Sequence, residues 1–179
     1  MLRSDIPPQH LSMLPFHVWN DRWFLLAAGD FVGGAFNVMT VSWGGLGIMW
    51  GKPFALVVVR PSRHTRQFMD SSAAFTLSVL PEQYREALDY CGSRSGRDGD
   101  KVKASGLTAI ASQAVPAPSF EEAELVLECR KTYFSDLDPS HFLDPAIEQN
   151  YASLDYHRVY FGEIVRVRGT ESWLAVRPA

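Results

Sequence analysis

A short, wholly apolar run constrains the fold of this chain more than any other feature of its sequence. Phe54 to Val59 reads Phe-Ala-Leu-Val-Val-Val, directly after Pro53. Six residues rich in β-branched side chains are too few for a confident helix and fit a strand. Because every position is apolar, the run predicts a strand that is buried on both faces.

Similar short runs predict that the fold is mainly β with short helices. Strands are expected at Trp23 to Ala28, Phe36 to Trp43, Phe75 to Leu80, Leu107 to Ile110, Ala123 to Tyr133 and Val159 to Arg168. Helices are expected at Thr65 to Ser71, with Phe68 and Met69 towards the core, and at Glu82 to Tyr90 after Pro81. Many short strands with few helices favour a barrel over a doubly wound sheet. Gly44-Gly45-Leu46-Gly47 imitates a dinucleotide fingerprint only weakly.

Length and charge narrow the class of protein. The 179 residues fit a single domain over residues 1–179, with its core at about residues 20–170. A net charge of −3 disfavours nucleic acid and acidic membrane surfaces as partners. No apolar run approaches the length of a membrane span, and Met1 to Gln9 lacks the apolar stretch of a signal peptide.

The cysteines and histidines exclude further classes of site. Cys91 and Cys129 form no Cys-x-x-Cys pair and no disulfide framework, which favours a reducing, cytoplasmic setting. The five histidines and the cysteines show no zinc-ligand spacing. We therefore expect no metal, and we expect a cytoplasmic protein.

Three polar clusters are candidates for chemistry, and the first is Asn37 to Trp43. Thr40 and Ser42 are two residues apart, so in a strand both hydroxyls point to one face and Asn37 and Met39 to the other. Met39 and Trp43 could pack against a flat heterocycle whose polar edge meets the strand backbone. The same pattern also fits a solvated strand face.

The second cluster, Arg60 to Arg66, combines three arginines, a histidine and two hydroxyls directly before the predicted helix at Thr65. Ser62 or Thr65 could cap that helix, and an arginine here could bind a phosphate through two parallel hydrogen bonds. A solvated basic turn is the alternative. The third cluster, Cys91 to Lys101, is predicted to be a glycine-rich loop that could close over a phosphate, although taken alone it fits a surface connection better.

Taken in order, these motifs resemble the flavin reductase-like family, whose members bind FMN in a split β-barrel of Greek-key type. The resemblance covers about residues 23–168. It is carried by Asn37-x-Met39-Thr40-x-Ser42-Trp43, Gly47-x-Met49-Trp50-x-Lys52-Pro53, Arg60-Pro61-x-Arg63-x-Thr65, Phe75-Thr76-Leu77-Ser78, Tyr90 to Asp98, Asp100-Lys101, Tyr156-His157-Arg158 and Gly162-Glu163-Ile164. Val102 stands where the family often has an aromatic residue.

The resemblance implies a set of cofactor-binding residues. The isoalloxazine ring would be lined by Met39, Thr40, Val41, Ser42 and Trp43. The phosphate and ribityl contacts would come from Arg63, His64 and Thr65, and the loop would contribute Ser93, Ser95 and Lys101. His157 and Trp50 are candidates for lining the substrate face, and a structural role fits each of them equally well.

The function implied is an NAD(P)H-dependent flavin reductase that passes hydride to FMN and on to an acceptor. No catalytic acid–base pair is required, because the flavin carries the redox chemistry. The alternative is a flavoredoxin-like FMN-binding carrier that receives electrons from a partner protein. Family members are commonly homodimers, and the surplus of aromatic residues is compatible with that. The role of the segment Ser135 to His157 is left open by the sequence.

Overall fold

Seven antiparallel strands form the main sheet, and a short eighth strand pairs with the end of one of its interior strands. The computed structural model describes residues 2–175. In chain order the strands are β1 (Ser4–Asp5), β2 (Phe24–Asp30), β3 (Ala35–Val41), β4 (Gly44–Met49), β5 (Lys52–Val59), β6 (Ala74–Val79), β7 (Ala109–Ile110), β8 (Ser119–Phe120), β9 (Leu125–Asp136) and β10 (Arg158–Gly169). The helices are α1 (Pro15–His17), α2 (Thr65–Ser71), α3 (Arg85–Ser93) and α4 (Lys101–Ala104).

The strand order makes the sheet curl into a split barrel. It runs β3-β2-β6-β9-β10-β5-β4, so β3 and β4 lie at opposite edges, and β1 pairs with β10. Only Ser42 and Trp43 connect Val41 at the end of β3 to Gly44 at the start of β4. Three peptide links span at most about 11 Å, which forces the two edges close together. The sheet is therefore nearly closed, and its split lies at Ser42 and Trp43.

Alternate residues of the strands fill the barrel interior, as the two-residue period of a strand requires. The inward residues of the central strands include Phe24, Leu26, Ala28, Val57, Val59, Phe75, Leu77, Val79, Leu125 and Leu127. Gly44 turns the corner at the split, where a side chain would overlap the ring of Trp19 and the carbonyl oxygen of Leu56. A glycine at this position therefore lets the chain pass tightly over the core.

A second apolar layer covers the outer face of β2 and its neighbours. Leu25, Ala27 and Val126 pack there against Leu88 and Cys91 of α3. As a result β2 has six consecutive buried residues, and all six residues of β6 are buried. The prediction that β5 is buried on both faces is wrong, because Phe54, Leu56 and Val58 on its outer face are only half-buried. The helical layer covers β2 and β6 and leaves the outside of β5 uncovered.

The remaining comparisons with the sequence prediction concern the ends of individual elements and one glycine-rich strand. The helix Thr65–Ser71 has the predicted bounds, with Met69 fully buried. The predicted loop from Cys91 begins later, because α3 continues to Ser93 with Cys91 facing the core. The glycine-rich strand β4 was not predicted, since its pairing with β5 outweighs its poor strand propensity. Trp43 lies beyond the end of β3.

Candidate functional site

A cleft opens at the split of the barrel, at the end of β3. Its first cavity has a volume of about 250 Å³. The lining comes from the end of β3 and the link after it, from the end of β5 and the turn that leads to α2, and from the residue before β10: Met39, Thr40, Val41, Ser42, Trp43, Val58, Arg60, Arg63 and His157. Met39 is buried, whereas Trp43 is 47% exposed. The cavity therefore has an apolar floor and a half-exposed aromatic wall.

His157 is held in this cavity by its neighbours. Its Nδ1 lies 2.8 Å from the Tyr151 hydroxyl, and its ring centre lies 5.3 Å from that of Trp43. Burial lowers the pKa of His157 to about 4, and the charges of Arg60 and Arg63 contribute to the shift. The imidazole is therefore neutral at physiological pH. When the Tyr151 hydroxyl donates to Nδ1, Nε2 carries the ring hydrogen and is a donor.

Arg60 anchors the segment of residues 137–157 at the mouth of the cleft. Its guanidinium donates to Asp155 at 2.6 Å and to the carbonyl oxygen of Asn150 at 2.8 Å. It also stacks on the ring of Tyr151 at 5.0 Å. The charge of Arg60 is therefore neutralised within the protein, and the segment left open by the sequence forms one wall of the cleft.

A second cavity of about 130 Å³ adjoins the first and shares Met39 and Arg63 with it. Its other lining residues are Ser62, His64, Thr65, Ser93, Arg94, Ser95, Gly96, Arg97 and Lys101. Arg97 donates a long hydrogen bond of 3.4 Å to the carbonyl oxygen of Ser62. Within residues 2–175, no aspartate or glutamate lines this cavity, whereas Arg63, Arg94, Arg97 and Lys101 do, so its lining is strongly positive.

Arg63 is the cation between the two cavities. It is half-buried, and among residues 2–175 its guanidinium forms no hydrogen bond and no ion pair. Burial, and then the nearby charge of Arg60, lower the pKa of Arg63 below its ordinary value. An arginine that is partly desolvated beside a like charge is destabilising unless an anion joins it. The arrangement therefore favours an anionic ligand at Arg63.

Lys101 is a second cation without an acidic partner among the described residues. It is 6% exposed, and its ammonium group donates to the carbonyl oxygen of Cys91 at 3.0 Å. Burial lowers the pKa of Lys101 to about 8, with a smaller contribution of the same sign from Arg63. Burial also lowers the pKa of His64, and the charges of Arg97 and Lys101 add to that shift. These shifts have a common cause, which is positive charge gathered in a partly desolvated cavity, and they favour an anionic ligand there.

Several hydroxyl groups of the predicted cofactor-binding residues donate hydrogen bonds within the protein. Thr40 donates to the carbonyl oxygen of Leu88 at 2.5 Å, and Ser93 donates to that of Asp89 at 2.8 Å. Thr65 donates to the carbonyl oxygen of Val38 at 3.2 Å. The prediction that Ser62 or Thr65 caps α2 is wrong, because the cap position is His64 and no side chain bonds there. Thr65 is instead buried against β3.

The structure thus brings all eleven predicted cofactor-binding residues to these two adjoining cavities, together with His157. Trp50 does not line either cavity. It lies between β4 and β5, 64% exposed, with ring contacts to Tyr133 and Phe161. Sequence reasoning did not select Arg60, Arg94 or Arg97 as site residues, although each lies inside a motif that it singled out.

Residues 2–175 contain no cluster of three or more histidine, cysteine or acidic side chains that could hold a metal ion. No helix in the same range combines the length and the apolar character needed to cross a membrane.

Comparisons with known proteins agree with the fold. Flavoredoxin of Desulfovibrio vulgaris superposes with a TM-score of 0.65 at 24% identity, covering 90% of this chain and 73% of that one. The FMN-binding domain of a flavin reductases-like enzyme from Shewanella baltica gives 0.67 at 17% identity, covering 94% and 77%. A Streptomyces globisporus NADH:FAD oxidoreductase gives 0.64 at 16% identity, covering 84% and 76%.

A family match covers most of the sequence. Residues 23–174 match the flavin reductase like domain. This range contains the whole of the split barrel except β1, and it contains every residue that lines the two cavities. The chain belongs to the flavin reductase-like domain family.

Proposed function

We propose that this chain binds FMN in the two adjoining cavities and transfers hydride from NAD(P)H to flavin. The observation that carries the proposal is Arg63, a half-buried guanidinium without an acidic partner among the described residues. It stands between an aromatic cavity and a cationic one. A ligand with a flat, largely apolar ring at one end and a phosphate at the other matches this order of environments.

The residues present fit the two ends of FMN. Met39 and Trp43 offer a soft apolar surface, and the end of β3 offers backbone groups to the polar edge of the ring. Arg63 and Lys101 offer the phosphate two cations that lack acidic partners within residues 2–175, and the hydroxyl of Ser95 borders the same cavity. His64 and Thr65 line the same cationic cavity, and their phosphate and ribityl contacts are part of the proposal.

The bound flavin supplies the redox chemistry, because its ring accepts a hydride and passes electrons on. The chain's own residues hold it and leave the Trp43 side accessible. His157 lines that side as a neutral imidazole, so it adds no charge of its own.

The proposal that the protein is a reductase is supported by the family match and by the similarity to an NADH:FAD oxidoreductase. The alternative is an FMN-binding carrier that takes electrons from a partner protein. It is supported by the similarity to a flavoredoxin. Neither cavity is lined by a dinucleotide motif, so the two functions differ in what approaches the open side of the cleft.

The test is to purify the protein, record its absorption between 350 and 500 nm, and follow NADH and NADPH oxidation with added FMN. We expect a bound yellow cofactor, or binding on titration, together with nicotinamide oxidation above the background rate. FMN binding without nicotinamide oxidation would favour the carrier. A protein that binds no flavin would contradict both functions.

We further propose that the protein acts as a homodimer. Trp50 and Tyr133 are 64% and 50% exposed with their ring centres 6.4 Å apart, and Phe134, the next residue on β9, is 54% exposed. Clustered exposed aromatic residues are typical of interfaces. Gel filtration with light scattering is expected to give twice the mass of the chain, and a monomer at all concentrations would contradict the proposal.

A further inference from the structure

Tyr151 lines neither cavity of the cleft, yet it is fixed against the histidine that lines one of them. Its side chain is only 4% exposed, and its hydroxyl lies 2.8 Å from Nδ1 of His157. The guanidinium of Arg60 stacks over its ring at 5.0 Å, and the ring of Phe142 lies nearly parallel to it at 5.9 Å. Its backbone N–H donates to the carbonyl oxygen of Glu148 at 2.8 Å. The tyrosine is therefore held in place from several sides.

The hydroxyl of Tyr151 decides which nitrogen of His157 carries the ring hydrogen. A buried hydroxyl needs an acceptor for its hydrogen, and among residues 2–175 Nδ1 of His157 is the only atom that forms a hydrogen bond with this oxygen. If Nδ1 carried the ring hydrogen, the hydrogen of the hydroxyl would have no partner. The hydroxyl therefore donates to Nδ1, and the neutral imidazole carries its hydrogen on Nε2.

The other ring nitrogen, Nε2 of His157, opens into the aromatic cavity. It has no hydrogen-bond partner within the described part of the chain, and it is not one of the polar atoms that the protein encloses completely. Because His157 is otherwise buried and lines this cavity, its accessible nitrogen faces the cavity. An N–H group there is an uncharged donor beside the ring of Trp43. It favours a ligand that brings an acceptor oxygen, since a donor left without a partner in a partly desolvated site is unfavourable.

We propose that Tyr151 is a positioning residue for hydride transfer. Through its hydrogen bond to Nδ1 it keeps Nε2–H of His157 directed into the aromatic cavity, where this group donates to a carbonyl-type oxygen of the molecule that exchanges hydride with the flavin. The inference rests on the proposed function, which assigns the flavin ring to this cavity. Since Tyr151 lines neither cavity, it acts only through His157.

The first experiment measures the kinetics of Tyr151→Phe with FMN bound. This variant keeps the ring that stacks with Arg60 and removes only the hydroxyl. We expect kcat/KM for whichever of NADH and NADPH is used faster to fall about tenfold, because a hydrogen bond of ordinary strength has about that effect. The affinity for FMN should change less than about twofold. Tyr156→Phe is the matched control, since its ring lies 4.9 Å from that of Tyr151 and its hydroxyl forms no hydrogen bond within residues 2–175.

A second experiment separates positioning from packing, using nuclear magnetic resonance of the protein with ¹⁵N-labelled histidine. In wild type, His157 is expected to carry hydrogen on Nε2 and to accept a hydrogen bond at Nδ1. In Tyr151→Phe the Nδ1 signal should move towards that of an unbonded nitrogen. The pKa of His157 should rise above its wild-type value of about 4, because a donor to the neutral ring is lost. The charges that face His157, on Arg60, Arg63 and Asp155, are the same in both proteins.

Hydrogen on Nδ1 of His157 in wild type would overturn the inference, and this result does not depend on whether the variant folds. An unchanged kcat/KM in Tyr151→Phe would overturn it too. So would an FMN affinity that falls as far as kcat/KM, because Tyr151 would then support the cofactor cavity as a whole. A wild-type protein that oxidises neither NADH nor NADPH would overturn the proposed reductase function instead, and the nitrogen signals would still decide whether Tyr151 positions His157.

Discussion

The two walls of the cleft differ in whether their positively charged side chains have acidic partners. On the wall formed by residues 137–157, Arg60 is paired with Asp155 and stacked on Tyr151. The other wall is formed by the start of α2 and the loop of residues 94–100. There Arg63 and Lys101 repel each other, and neither has an acidic partner among the described residues. The first wall therefore contains the counter-charge of its arginine, whereas the second wall has no counter-charge paired with Arg63 or Lys101 among the described residues.

This difference separates residues that build the cleft from residues that serve a ligand. A buried cation without a counter-charge lowers the stability of the fold, so its presence needs another explanation. Active sites commonly retain such destabilising groups. The comparison therefore predicts that substitutions on the second wall weaken ligand binding while sparing stability, and that substitutions on the first wall do the reverse.

The largest expected effect is on the second wall, at Arg63. Arg63→Met is expected to weaken FMN binding about 100-fold, because two charge-assisted hydrogen bonds to phosphate are together worth about 2.7 kcal/mol. Riboflavin, which has no phosphate, should lose less than about threefold. Titration of both flavins checks the difference.

The same variant should not lower the free energy of unfolding of the ligand-free protein, since it removes repulsion between Arg63 and Arg60. Urea unfolding without flavin measures this. Arg166→Met is a suitable control, because Arg166 pairs with Asp5 far from the cleft. If Arg63→Met weakens riboflavin as much as FMN, the phosphate does not bind at Arg63.

The next largest expected effect is on the stability of the protein, and it comes from His157 on the first wall. Its pKa is about 4 in the folded protein and about 6.5 when unfolded, so the unfolded chain binds more protons between these values. The stability that neutral His157 contributes is fully present above about pH 6.5 and is lost as the pH falls from 6.5 towards 4. The contribution of His157 should decrease by about 2 kcal/mol between pH 7 and pH 5.

Urea unfolding at the two pH values tests this prediction. His157→Gln is expected to remove that part of the pH dependence, whereas His141→Gln should retain it, because His141 is 82% exposed in the same segment. An unchanged pH dependence in His157→Gln would show that other groups are responsible.

Much of the fold could be predicted from local sequence, and the exceptions have physical causes. The period of two along the strands and the bounds of α2 follow from patterns within a few residues. The strand β4 could not be predicted, because Gly44 is favoured by its contact with Trp19 and not by strand propensity. The outer face of β5 is half-exposed because no helix happens to cover it, which the run of apolar residues cannot reveal.

The candidate site divides in the same way. The residues that line the cavities were predicted as a set, since short motifs carried them. The bonds that position them were not, because they join distant parts of the chain: Arg60 and Asp155 are 95 residues apart. The hydrogen bond from the Thr40 hydroxyl to the carbonyl oxygen of Leu88, 48 residues away, could not be predicted for the same reason. Whether the lining residues contact FMN stays a prediction.

The smallest expected effect also lies on the second wall, at Lys101. With a pKa of about 8, the ammonium group loses its proton as the pH rises towards 9.5. A bound phosphate would hold that proton, so FMN binding should weaken by roughly tenfold between pH 7 and pH 9.5. Lys101→Met is expected to bind FMN about tenfold more weakly at pH 7 and to lose this pH dependence.

Titrations at both pH values decide the role of Lys101, with riboflavin correcting for ionisation of the ring itself. Lys103→Met provides the matched control, because Lys103 lies on the same short helix and is exposed. It should retain the pH dependence of wild type. If FMN binding to wild type is equally tight at both pH values, Lys101 does not contact the phosphate, and the cations left on the second wall are the arginines.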